Sequence, residues 1–228
     1  MISALFSPDA ALRFKASTSG QHANRSRTWP RGCWGAANGW LMLVGPSPGG
    51  VRSATDSWSG GPRRPIDSHA YVGRDAGKII YSTNKGRNAR WQMLAAAAFT
   101  RPDYASALTT VTNLDWGNNS DHTTIPESYL NRGCEYVFNV MAQSKPRIVI
   151  TLVRKTWDVL TTYLSRHKIL FPAPPKDLIQ DLTVVTLPRC GFKTLVLRSP
   201  QHPSRHFFTR SHADLIKRTV AWFIRNDT

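Results

Sequence analysis

Lys145-Pro-Arg-Ile-Val-Ile-Thr-Leu-Val153 is the stretch on which the fold turns. Lys145-Pro146 ends whatever helix precedes it, because a proline ring clashes with a continuing helix. From Arg147 to Val153 the run is mostly apolar and does not alternate, so it reads as a strand buried on both faces. Strands of that kind belong to parallel sheets covered by helices on either side. Upstream, Pro126 to Gln143 reads as a helix, with Pro126 suited to its first turn; downstream, Thr156 to Arg166 reads as another. Farther out, Trp40 to Val44 is a second apolar strand, Asn88 to Phe99 a helix with an alanine run, and Ser106 to Leu114 a Thr- and Val-bearing strand. A proline-rich connector, Phe171 to Pro175, leads to strands at Thr183 to Leu187 and Thr194 to Leu197. His212 to Ile224 closes the series, with Leu215, Ile216, Val220, Phe223 and Ile224 at helical spacing. The alternation predicts an α/β fold: a three-layer sandwich with a central, mostly parallel four-stranded sheet flanked by helices.

Of 228 residues, 30 are Lys or Arg and 14 are Asp or Glu, a formal net charge of +16. With 41% hydrophobic residues and eight Trp, the chain can build a core, which excludes a disordered polycation. Such a charge on a folded domain attracts polyanions, nucleic acid foremost. The longest apolar runs fall far short of the about 20 residues that cross a bilayer, so no membrane partner is expected. Cys33, Cys134 and Cys190 are odd in number and widely spaced, which encodes neither a disulfide framework nor a closed zinc site. A reducing compartment fits, and the expected location is the cytoplasm, at the nucleoid.

Residues 1–38 carry little periodicity, and no acid occurs between Asp9 and Asp56. They read as a basic N-terminal arm preceding a domain over 39–228. A transit peptide, an overextended start and a DNA-binding arm share that composition, so organellar targeting stays open.

Ligands of parallel sheets bind beyond the carboxyl ends of the strands. Three strand exits qualify: Gly45 to Gly50, Asn113 to Asn119, and Ser199 to His206. In the first, Gly45, Pro46, Ser47, Pro48 and Gly49 form a rigid loop whose glycines admit close approach of a ligand. It is not a phosphate-binding P-loop, since no Gly-Lys-Ser/Thr follows. The third sets His202 before Pro203 and Ser204. Read alone, His202 is equally a surface or capping histidine, Asn113 a turn former, and Tyr71 a core residue.

Gly45-Pro-Ser-Pro48 near the amino end and His202-Pro-Ser204 before the last helix resemble, in order and separation, the paired loops of the uracil-DNA glycosylase superfamily. Ala70 to Gly77, Thr112-Asn113-Leu114, and Cys134 through Leu152 are similar to the branch containing iron-sulfur thermophilic enzymes. The likeness runs from about Trp40 to Phe223. It implies a monofunctional glycosylase that extrudes uracil from DNA, hydrolyses its N-glycosidic bond and leaves an abasic site. His202 would then donate to the departing base, Ser47 orient water, Asn113 read the base edge, and Tyr71 stack on the base, with Gly45, Pro46, Pro48 and Gly49 shaping the pocket. Ser204, Arg205, His206 and Phe207 would contact DNA. The chain departs from that pattern in three ways. Only Cys134 matches a cluster cysteine, so no iron-sulfur cluster or other cofactor is expected. Ser47 stands where the strongest uracil-removing relatives carry Asp or Asn, and the stretch between Gly50 and Tyr71 holds extra sequence. The alternative is a low-turnover or inactive member that binds uracil-containing or abasic DNA. Either protein is expected to work as a monomer.

Overall fold

The computed structural model describes residues 34–35, 40–46, 87–98, 109–113, 127–187, 191–203 and 207–227. In chain order these form β1 (Trp34–Gly35), β2 (Leu41–Gly45), α1 (Arg87–Ala98), β3 (Thr109–Asn113), α2 (Glu127–Ser144) and β4 (Ile148–Thr151). There follow α3 (Arg154–Leu164) with a 3-10 turn at Ser165–His167, then β5 (Leu182–Thr186), β6 (Lys193–Arg198) and α4 (Arg210–Asn226). The strands make one sheet in the order β1-β3-β2-β4-β6-β5.

The four inner strands, β3, β2, β4 and β6, are mutually parallel. The expected four-stranded core is therefore extended at each edge by an antiparallel strand. At one edge β5 and β6 are joined as a hairpin, closed by the Leu187 amide on the Phe192 carbonyl at 2.8 Å and turned through Gly191 at φ +59°. At the other, Trp34–Gly35 pairs with β3, so two residues of the segment read as an arm belong to the sheet. Two residues are too short a run for periodicity to register in sequence.

Both faces are dry, as the non-alternating strands require. Leu41, Leu43, Ile148, Ile150, Leu195 and Leu197 pack with Leu94 of α1 and with Ile216, Val220 and Phe223 of α4. From the opposite face Met42, Val44, Val149 and Val196 pack with Leu130, Val137 and Met141 of α2 and with Val159 and Leu160 of α3. A one-residue slip in any inner strand would exchange these sets, which fixes the register. Cys134 lies in the second set, and burial pushes its thiol up to about 12. It is a small apolar side chain in its setting, inert as a nucleophile at neutral pH.

At the amino ends of the strands, Arg147 pairs with Asp227, whose second carboxylate oxygen lies 3.0 Å from Lys193 Nζ. The Arg147 guanidinium rests against the rings of Phe192 and Phe223, 5.6 and 5.0 Å from their centroids. Its partial desolvation moves its pKa down from the ordinary value. Trp40 donates its indole N–H to the last carbonyl of α1, Ala98, at 3.1 Å. That bond supplies a partner to a helix end that has none of its own.

Candidate functional site at the carboxyl edge

The sheet's connectivity marks its carboxyl edge as the candidate place for a ligand. Leaving their carboxyl ends, β2 and β6 lead to helices on one face, α1 and α4, whereas β3 and β4 lead to α2 and α3 on the other. Neighbouring inner strands thus send their connections to opposite faces, the arrangement at which open α/β sheets bind ligands.

The hydrogen-bond register fixes what stands along that edge. Asn113 of β3 is opposite Gly45 of β2. One strand over, the Leu152 amide donates to the Val44 carbonyl at 3.0 Å, and the Ser199 amide to the Thr151 carbonyl at 2.9 Å. Asn113, Gly45, Leu152 and Ser199 accordingly form one rung. At the usual strand spacing it is about 14 Å long. Gly45 and Pro46 are buried at its centre. His202 follows three residues beyond the rung and is half-buried.

The segment that carries His202 is held at four points. Its first amide is tied by the Ser199 bond, and Ser199 Oγ donates back to the Gln201 carbonyl at 2.6 Å. In the middle, Arg90 Nε of α1 donates to the Pro203 carbonyl at 3.0 Å, and Pro203 itself is buried. At the far end Phe208, 2% exposed, is part of the core and lies with its ring 5.9 Å from that of His212. Thr209 then starts α4 with a capping box, its amide donating to His212 Nδ1 at 3.1 Å. Of the two adjacent phenylalanines, then, Phe208 is structural, whereas Phe207 is 61% exposed on the same connection.

Two features of the edge were not anticipated from the sequence. Helix α3 begins there with Arg154 and Lys155 and no acid in its first turn, after an N-cap, Val153, that offers no side-chain bond. Cations at a helix amino terminus oppose the helix dipole, and the first amides lack intrahelical acceptors. Beside them Thr156 is fully buried, and its hydroxyl finds no partner among the described residues. Arg154 meets Asp158 at 3.4 Å in an exposed i,i+4 pair; an anion at this terminus would complement the two cations and accept from the first amides. The legible signal was the Arg-Lys-Thr run opening a helix just after a buried strand. The second feature, the Arg90 bond, joins positions 113 residues apart and has no local signature.

Arg198, also at the edge, is not available to a ligand, because Asp181 binds its guanidinium, with Nε at 2.6 Å. Among the described residues no group of three His, Cys, Asp or Glu could hold a metal ion, and no helix is long and apolar enough to cross a membrane. Ser47, Pro48, Gly49, Tyr71, Ser204, Arg205 and His206 lie outside the described residues, and Asn113 is described by its backbone alone. No protein-family model matches the sequence, and no curated protein matches it either.

Proposed function

We propose that this chain is a uracil-DNA glycosylase of three-layer α/β/α build, which extrudes uracil from DNA and hydrolyses its N-glycosidic bond. The observation that carries the reading is the rung: Asn113, Gly45-Pro46 and the segment leading to His202 share one edge, the three segments whose order and motifs resemble the superfamily. The charge of +16 supports a polyanionic substrate.

Breaking the glycosidic bond leaves positive charge on the sugar and negative charge on the leaving pyrimidine. A water oxygen adds to the sugar's anomeric carbon and gives up a proton, while the bond's electron pair departs with the base. His202, on a segment fixed at four points, donates a hydrogen bond to the base's O2 as charge develops there. Asn113 presents both an acceptor and a donor to the N3 and O4 edge, which distinguishes uracil from cytosine. Tyr71 stacks on the extruded ring, and Ser47 orients the water. The amino end of α3, with Arg154 and Lys155, takes a backbone phosphate. Phe207 offsets part of the few kcal/mol of unstacking by entering the vacated stack, and Ser204, Arg205 and His206 hold the flanking backbone.

A second reading, a protein that binds uracil-bearing or abasic DNA with little turnover, is favoured by Ser47, since a serine hydroxyl is a weak base at neutral pH. One assay separates them. A uracil-bearing oligonucleotide incubated with the protein and heated in alkali is cut at the uracil if the base has been removed. Retarded migration of uracil-bearing or abasic duplex without cutting selects the binder, and neither cutting nor preference for those duplexes overturns both.

A further inference from the structure

The connector from Leu170 to Pro175 does more than join α3 to β5. Sequence biases it toward an extended, left-handed conformation. Pro172, Pro174 and Pro175 have φ fixed by their rings, and Phe171, Ala173 and Pro174 each precede a proline, which disfavours helical backbone. Lys168, just upstream, is at φ −64° and ψ 136°, already in the polyproline II region.

That helix has about three residues per turn, so it presents three edges. Burial follows the same period. Phe171 and Pro174 make the half-buried edge, with Phe171 seated on Trp222 and Phe223 at 5.5 and 5.4 Å between ring centroids. Pro172 and Pro175 form a second edge, and Leu170, Ala173 and Lys176 a third; every residue of both is exposed.

The segment is also anchored at both ends. The Ile169 amide donates to the Val184 carbonyl at 3.0 Å, and the Pro175 carbonyl accepts from the Leu178 amide at 3.0 Å and from Gln180 Nε2 at 2.9 Å. Leu170 is 101% exposed and, with Phe207, is one of only two large apolar side chains left in water among the described residues. A connector has no need of such a side chain.

We infer that Leu170–Pro175 is a preformed proline-rich ligand for a second protein, one whose groove is walled by aromatic side chains and flanked by acidic ones. Such grooves accept the spaced prolines of a polyproline II edge in slots between rings. Pro172 and Pro175, about 9 Å apart along the helix, supply that spacing. The partner's acids follow from the flanks: Arg166, Lys168 and Lys176 are exposed, and the acid next in sequence, Asp177, is paired with Arg218 at 2.7 Å. Because the ligand is held extended before binding, little conformational entropy is lost on docking. The inference is independent of the chemistry at the carboxyl edge, which α3 and β5 separate from this segment in the chain.

The test uses the full chain against a panel of immobilised SH3 and WW domains, measured at low and high salt. Saturable binding to at least one domain is expected, weakened at least about tenfold, or about 1.4 kcal/mol, in the double variant Pro172→Ala, Pro175→Ala. Lys176→Glu should weaken it further at low salt than at high salt. Leu170→Asp, at a position whose side chain touches solvent alone, provides a variant that keeps its fold and should also bind less well. Absence of binding to every domain overturns the inference, as does equal binding by the proline double variant. So does concentration-dependent self-association of the wild type that Leu170→Asp abolishes, which would assign the surface to a second copy of the chain.

Discussion

The two ends of the parallel sheet differ in how their charges are held. At the amino end Asp227, 5% exposed, is matched by Arg147 and Lys193, and the Arg147 guanidinium is covered by two rings. Arg147, Lys193 and Asp227 are thus paired with one another within the protein. At the carboxyl end Arg154, paired with Asp158 at 3.4 Å along the exposed side of α3, and Lys155 sit on the helix's positive pole next to Thr156, whose buried hydroxyl has no partner among the described residues, and the His202 segment is pinned by bonds that leave the histidine only half-buried. A buried polar group without a hydrogen bond is costly; at the amino end Asp227 Oδ1 is such a group but lies 3.0 Å from Lys193 Nζ, whereas the Thr156 hydroxyl at the carboxyl end has no charge to offset it among the described residues. The difference separates a staple from a site, and it predicts that substitutions at one end change stability while those at the other change chemistry.

The largest effect is expected at the site. His202→Ala should slow single-turnover excision of uracil by 10² to 10³, about 3–4 kcal/mol, with the urea midpoint unchanged. An unaltered rate would remove His202 from the reaction. At the staple, Asp227→Asn leaves Arg147 beside a neutral partner and should cost about 3 kcal/mol in urea unfolding, with activity per folded molecule preserved. A change below about 0.5 kcal/mol would show the pair to be a surface interaction and erase the contrast between the two ends.

Arg90→Ala should come next, lowering kcat about tenfold with little change in KM, because the Pro203 carbonyl loses its donor and the His202 segment its central restraint. Arg90→Lys, which can donate to the same carbonyl, should recover much of the loss; failure to do so would point to helix packing rather than positioning. Replacing both Arg154 and Lys155 with Ala should weaken duplex binding and flatten its salt dependence by about one unit for each phosphate no longer neutralised. An unchanged slope would move the phosphate elsewhere. Smallest of all, Lys145 sits at φ +49° just after α2, and Lys145→Gly should stabilise the protein by about 0.5–1 kcal/mol through relief of the left-handed backbone. No gain in melting temperature would show that the turn carries no strain.

Elements governed by local pattern were legible in the sequence. Leu41–Val44 and Ile148–Thr151 are apolar at every or nearly every position and buried throughout, so their burial on two faces needed no partner to be recognised. Helix α4 announced itself by spacing, and its observed start at Arg210, two residues earlier than the periodicity suggests, reflects a polar first turn set by the Thr209 cap. What escaped was pairing across the chain. Neither the Gly45–Asn113 rung nor the Arg90–Pro203 bond can be read from neighbours, because each depends on two strands or a helix and a loop meeting after long intervals. Phe207 and Phe208 are chemically the same, and only the turn into α4 decides which one faces the core. For the candidate site as a whole, sequence supplied the segments and a resemblance supplied their roles, while the rung shows that three of those segments reach the same edge.

That rung also sets a timetable. Leu41 lies opposite Thr109 and Ile148, 109 − 41 = 68 and 148 − 41 = 107 positions later, whereas Leu182 meets Leu197 across a separation of only 197 − 182 = 15. Local pairings close early and distant ones wait. On a ribosome adding about 5–20 residues per second, β2 emerges roughly 5–20 seconds before the strand that covers its second edge. Through that interval Leu41, Met42, Leu43 and Val44, none of which touches water in the finished protein, form an unpaired apolar strand. The nascent chain is therefore most vulnerable to association with its neighbours before β4 has been made, and slowed synthesis over residues 45–148 should lower the yield of folded protein more than an equal delay later in the chain.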